Sequence, residues 1–177
     1  VNKTYINRIK DSIFQINFQR LVSEVSADLV SIDQTNLKEK LENLLAKTGQ
    51  FFLVDRTYIF LIDQKKNTMT YAHEWCNQGI PSMVELIQGV PVDEFPWWME
   101  ELSNCKLIHL DDIDALPENA AAERETLTKQ GVQSVVVIPI EQDGGMLGFI
   151  GLDSVASKKK WLTYHIDLLR TLSHLIA

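Results

Sequence analysis

The sequence predicts an α+β domain built on an antiparallel sheet. Two observations carry that prediction. Strand-like runs come in pairs closed by short polar or glycine turns, at Asp63–Asn67 and at Asp143-Gly144-Gly145, so paired strands run antiparallel. Helical periodicity is concentrated at the two ends and in short middle segments. It does not alternate strand by strand, as a parallel sheet with crossover helices requires.

The chain opens on a helix. Ile6, Ile9, Ile13 and Ile16 are spaced 3-4-3, a short coiled-coil-like seam. A second stripe runs through Phe14, Phe18, Leu21, Val25 and Leu29 on a different face. A helix with two apolar faces needs two partners, of which its own domain is one. The alternative is a core helix with an apolar first turn. A second helix is expected from about Asn36 to Lys47, with Leu37, Leu41, Leu44 and Leu45 inward and Gly49 as its stop.

The period then changes. FFLVDRTYIFLI, from Phe51 to Ile62, is β-branched and aromatic and reads as a buried strand, with TMTYAHEWC, from Thr68 to Cys76, as its hairpin partner. The middle is irregular, broken by Gly79-Ile80-Pro81 and Gly89-Val90-Pro91. In DEFPWWMEEL an acid and a proline suit a helix start near Pro96. Lys106 to Leu110 is a short strand, and Glu118 to Gln130 a helix closed by Gly131. Ser134 to Ile140 and Met146 to Asp153 form the second hairpin, and Leu162 to Ile176 the last helix. That helix is apolar on more than one side. No repeat or low-complexity tract divides the chain, which reads as one domain.

With 177 residues, 45% of them apolar, the chain is long enough to bury a core without disulfides or metal. A net charge of −7 disfavours nucleic acid and anionic membranes, whose phosphates demand a basic face. No apolar run reaches the roughly 18 residues of a membrane span, and no signal peptide is expected. Cys76 and Cys105 are too few for a disulfide scaffold and suit a reducing, cytoplasmic compartment. The ends, Val1 and an apolar helical pattern at Ala177, read as those of a fragment.

Most chemical templates fail. There is no CxxC, HExxH, phosphate-binding glycine loop or GxSxG, and the four histidines lack ligand spacing, so no metal is expected. Asp111, Asp112 and Asp114 read as a solvated loop rather than a calcium site. In His73-Glu74-Trp75-Cys76, strand alternation places His73 and Trp75 on one face and Glu74 and Cys76 on the other. A histidine and a cysteine so placed are not a nucleophile–base pair unless a bulge intervenes, and Cys76 reads as a small buried hydrophobe. His73 beside Trp75 can line a cavity or serve as a structural histidine. Phe95, Trp97 and Trp98 can wall a small-molecule pocket or pack the core. Adjacent Trp97 and Trp98 do not both face inward on a helix.

GVQSVVVIPIEQDGGMLGFIGLDSV, from Gly131 to Val155, resembles the C-terminal signature of GAF domains: a helix ending in Gly, a strand ending with Pro, and a glycine hairpin leading to a strand that closes G-x-D. VDRTYIFLID, from Val54 to Asp63, resembles the family's first strand. YAHEWC, DEFPWWMEEL and HLDDIDALP resemble a subgroup attached to bacterial signalling proteins such as sensor histidine kinases of two-component systems and diguanylate cyclases. The resemblance covers the chain from about Phe18 onward.

It implies a six-stranded antiparallel sheet with helices on both sides. It also implies a ligand cavity between the sheet and the middle helices, with Gly79 to Pro117 as lid, and parallel dimerisation through the terminal helices. Residues 1–30 are then a signalling and dimerisation helix leading into a GAF domain over 18–177. Bilin-binding members attach chromophore through a cysteine near the helix that here reads AAERETLTKQG, which has none. The dispersed cyclic-nucleotide signature of other members is not evident, and the sulfoxide reductases of the family use more cysteines. Members often have Ser or Thr after the Trp that opens the last helix. Leu162 follows Trp161 here, so a frayed helix start is expected.

The expectation is a non-catalytic sensor domain, homodimeric and linked to an output domain, with His73, Trp75, Phe95, Trp98 and Phe149 lining the cavity and Asp153 as a polar contact. The alternatives are a dimerisation module with a filled core and, more remotely, a free methionine sulfoxide reductase using Cys76 and Cys105. The sequence names neither ligand nor cofactor.

Overall fold

The computed structural model describes residues 2–33, 35–104 and 107–177, with side chains from Ser12 onward. The side chains of Ile6 and Ile9, together with Cys105 and Lys106, lie outside the described residues. Helices α1 (Asn2–Val30) and α2 (Leu37–Phe52) precede the hairpin β1 (Arg56–Asp63) and β2 (Thr68–Cys76). A long strap carries the short strand β3 (Val90–Pro91), followed by α3 (Pro96–Ser103), β4 (Ile108–Leu110) and α4 (Ala121–Lys129). The second hairpin, β5 (Ser134–Gln142) and β6 (Gly145–Ser154), leads to α5 (Thr163–Ile176).

The six strands form one sheet in the order β3-β2-β1-β6-β5-β4. Every pairing is antiparallel. The two hairpins meet at the centre, where Ile59 opposes Ile150 and Phe60 opposes Phe149. Asp143 and Gly144 both take positive φ, 52° and 78°, as a two-residue turn matched to strand twist requires. At Gly148 a Cβ would stand 1.9 Å from the Phe60 carbonyl oxygen, so only glycine lets the strands meet there.

Alternation along the central strands divides the core. Ile59, Val136, Ile150 and Leu152 face α1, α2 and α5, where Val25, Leu45, Leu168 and Leu172 are fully buried. Tyr58, Phe60, Val137 and Phe149 face α3, α4 and the strap. Each such apolar side chain stabilises the fold by about 1.5–3 kcal/mol when fully buried.

Several boundaries differ from the sequence expectation. Helix α2 runs through Gly49 to Phe52, and Leu53, at φ 53°, makes the left-handed cap. Gly49 is instead required inside the helix, because a Cβ there would lie 2.2 Å from the Trp75 ring. Phe51 and Phe52 are therefore helical, and β1 begins at Arg56. The start of α5 is tied down without a hydroxyl cap. The Trp161 N–H donates to Asp111 Oδ1 (2.8 Å), its indole N–H to the Leu110 carbonyl (3.0 Å), and the Leu162 N–H to His165 Nδ1 (2.8 Å).

On α1, Leu21 and Val25 are buried in the core with Phe18 and Leu29 against them, whereas Ile13 and Ile16 are 54% and 59% exposed. Within the described side chains, the second apolar face of this helix is open to solvent.

Candidate functional site

The concave face of the sheet, α3, α4 and the strap line a partly open cavity of about 60 Å³. Its floor is Tyr58 and Phe60 of β1, Met69 and Tyr71 of β2, and Phe149 and Asp153 of β6. Ile87 and Phe95 of the strap and Trp98 of α3 cover it, and Glu123, Thr126, Leu127 and Gln130 of α4 close the side. The floor rings support one another. Phe60 stacks on Phe149 at 4.7 Å and meets Tyr71 at 4.5 Å, and Tyr58 lies 5.3 Å from Tyr71.

Four of the six expected residues, Phe95, Trp98, Phe149 and Asp153, are brought together here. His73 and Trp75 are not. Strict alternation from Tyr71 would turn both toward the cavity. The register shifts instead: Ile59 pairs with His73 but Phe60 pairs with Tyr71, leaving Ala72 as the extra residue of a β-bulge. Beyond it the faces exchange. Trp75 packs on Gly49 of α2, and His73 lines an open groove with Lys38 and Glu42. Burial lowers the pKa of His73, whose Nδ1 has no partner. Trp98 is buried and the neighbouring Trp97 is only partly so, as adjacency on a helix demands.

Beside the floor, on the same face of the sheet, lies a buried charge cluster that the sequence reading missed. The Arg56 side chain is fully buried. Its Nη1 donates to Asp153 Oδ2 at 3.2 Å and its Nη2 to the Pro81 carbonyl at 3.4 Å. Its Nε is 3.4 Å from Glu74 Oε1, a charge contact too misaligned to count as a hydrogen bond. Glu74 in turn grips the strap: the Ser82 hydroxyl donates to Oε2 at 2.6 Å, and the Met83 N–H reaches both oxygens at 3.2 and 3.1 Å. One guanidinium thus joins the cavity floor to the strap.

Glu123 is 1% exposed, and its Oε1 accepts the Trp98 backbone N–H at 3.0 Å, capping the first turn of α3. Among the described residues, Tyr71 Oη, Asp153 Oδ1 and Glu123 Oε2 are buried without hydrogen-bond partners. All three belong to residues that line the cavity. Burial raises the pKa of Asp153 to about 6, with Arg56 and the Tyr58 hydroxyl opposing that rise. Burial likewise raises both tyrosines, with the Asp153 carboxylate adding to it. Burial and the Glu74 carboxylate push the Cys76 thiol up to about 11, and Cys76 Sγ lies against the Pro81 carbonyl. A thiol held that high is a weak nucleophile near neutral pH. No group of His, Cys, Asp and Glu that could hold a metal ion occurs among the described residues.

The chain thus folds as an antiparallel sheet with α1, α2 and α5 on one face and α3, α4 and a strap-covered aromatic cavity on the other. The chain belongs to the GAF family: the GAF domain model matches residues 36–177. The chain is 25% identical over 133 residues to the methanogenesis regulatory histidine kinase FilI of Methanothrix harundinacea, matching 72% of this chain and 15% of that protein. It therefore corresponds to a small part of that relative's length. Among solved structures, the phycocyanobilin-bound GAF domain of a cyanobacterial phytochrome superposes with a TM-score of 0.73 at 17% identity, covering 90% of this chain and 91% of that one. The GAF domain of Thermosynechococcus elongatus PixJ, in its blue-light absorbing form, gives 0.64 at 20% identity over 81% and 85%. At these identities the likeness shows a shared fold. No described helix is long and apolar enough to cross a membrane.

Proposed function

We propose that this domain is a non-catalytic, cytoplasmic sensor that binds a small molecule in the cavity above Phe149 and Asp153 and biases a covalently linked output domain. The observation that carries this reading is the set of three partnerless polar atoms on residues lining an otherwise aromatic cavity. Buried polar groups are normally paired, and unpaired ones on residues that line an apolar pocket are groups a ligand can satisfy.

The Arg56 cluster supplies a route for the signal. A ligand that engages Asp153 changes what Arg56 shares between Asp153 on β6 and Glu74, which holds Ser82 and Met83 of the strap. Strap and floor then shift together, and α5 is the next element of the chain after β6. A ligand switches the domain only by binding one arrangement better, and a coupling of about 1–3 kcal/mol is typical. The exposed Ile13 and Ile16 on α1, with Leu162 and Leu175 around α5, support homodimerisation through the terminal helices. The histidine kinase relative supports a kinase-type output.

A dimerisation module without ligand is the second reading, favoured by the small size of the cavity, about 60 Å³. Calorimetry and mass spectrometry of co-purified ligands separate the two. Binding that Thr126→Phe abolishes supports the sensor. An empty cavity across nucleotides, amino acids, amines and haem supports the module.

A further inference from the structure

The geometry points to a small organic ammonium ion, of a few non-hydrogen atoms, as the ligand of the cavity between Asp153 and Glu123. This rests on the reading of the cavity as a ligand site and specifies its chemistry. Asp153 and Glu123 are 2% and 1% exposed, and each keeps one carboxylate oxygen without a partner. Carboxylate oxygens only accept, so the missing ligand atoms are donors. An ammonium group offers up to three N–H donors, and an alcohol offers one.

Charge points the same way. Glu74, Asp153 and Glu123 are three buried carboxylates, and Arg56 is the cation set among them. Arg56 already contacts two of the three, and Glu123 has only a backbone N–H. An anion entering here would meet uncompensated negative charge, whereas a cation supplies what is missing. The rest of the lining suits the carbon side of such a ligand. Tyr58, Tyr71, Phe60 and Trp98 give an aromatic surround, and aromatic rings attract organic cations. Size limits the choice. A cavity of about 60 Å³ is far below the roughly 300–1,000 Å³ of drug-sized pockets and suits a ligand of a few non-hydrogen atoms.

The test is calorimetric titration of the 177-residue chain near neutral pH, with Trp fluorescence in parallel. The probes are methylammonium, ethylammonium, ethanol and acetate. Saturable binding is expected for an ammonium and absent for ethanol and acetate. Glu123→Gln keeps the acceptor that caps α3 and should weaken ammonium binding about tenfold or more. Asp153→Asn should do the same, and circular dichroism verifies that each variant is folded. Failure of both ammonium ions to bind, or binding unchanged in a folded Glu123→Gln, overturns the inference. If ethanol or another neutral molecule binds instead, and Thr126→Phe abolishes that binding, the cation assignment falls and the sensor reading stands. If no small molecule binds at all, both fall.

Discussion

Arg56 Nη1 lies 3.2 Å from Asp153 Oδ2, and both side chains are closed off from water, at 0% and 3% exposure. The two residues sit opposite each other on the central strands β1 and β6. A buried pair of this kind contributes less to stability than its Coulomb energy implies, because both ions lose their hydration. Removing one partner is another matter.

Arg56→Met leaves Asp153 and Glu74 buried without their cation and frees the Pro81 carbonyl. A loss of about 3–5 kcal/mol is expected, read from urea denaturation. Arg56→Met together with Asp153→Leu should recover part of that loss. Additive losses in the double variant would show that the two residues are not coupled.

Two buried groups give opposite pH dependences. Asp153, beside Arg56 and Tyr58 from β1 and Glu74 and Tyr71 from β2, with Glu123 of α4 lining the same cavity, has a folded pKa raised by burial from 3.8 to about 6. The folded chain therefore binds the extra proton, and this stability is full below about 3.8 and lost as pH rises through 6. His165 goes the other way. Burial, with Lys159 nearby, lowers its pKa from 6.5 to about 4, and its Nδ1 must stay unprotonated to accept the Leu162 N–H. Its contribution is full above 6.5 and lost as pH falls through 4. Relative to the parent chain, Asp153→Asn should lose stability faster on acidification between pH 6 and 4, and His165→Gln more slowly. Chemical denaturation at stepped pH measures both, and parallel curves for all three proteins would contradict the assignment.

Two glycines on one strand should respond differently to alanine. At Gly148 the new Cβ meets backbone, 1.9 Å from the Phe60 carbonyl oxygen, and the strands must separate. At Gly151 it meets the far end of the Tyr58 ring at 2.3 Å, which can swing. Gly151→Ala should cost about 1–3 kcal/mol and Gly148→Ala more, by thermal or urea unfolding. With Tyr58 displaced toward the cavity, Gly151→Ala should also weaken ligand binding.

Ile13→Asp with Ile16→Asp changes only exposed positions of α1, so the fold should lose no more than about 0.5 kcal/mol per site. Sedimentation should nevertheless show the proposed dimer dissociating. A dimer that survives both charges does not use this face.

Much of the fold was legible because it rests on period and punctuation. The hairpin at Asp143-Gly144, the proline start of α3 and the glycine after α4 all appear where the sequence places them. The site was legible only in part. Phe149 and Asp153 alternate cleanly along β6, whereas the bulge at Ala72 reverses His73 and Trp75, and no residue there announces it. Arg56, Glu74 and Glu123 were not singled out, because a burial that depends on partners distant in sequence leaves no local signal. Tyr58, Phe60 and Tyr71 were recoverable, since cross-strand pairing with Phe149 would have put them on its face.

Native mass spectrometry of the chain and of Thr126→Phe, both exposed to extract of the source cells, decides whether the cavity holds a ligand. Thr126 lines the cavity from α4, and a phenyl ring there fills it. The parent chain should carry a small noncovalent mass that the variant loses while staying folded. Equal retention by both proteins, or a bare mass for both, would contradict ligand binding in the cavity.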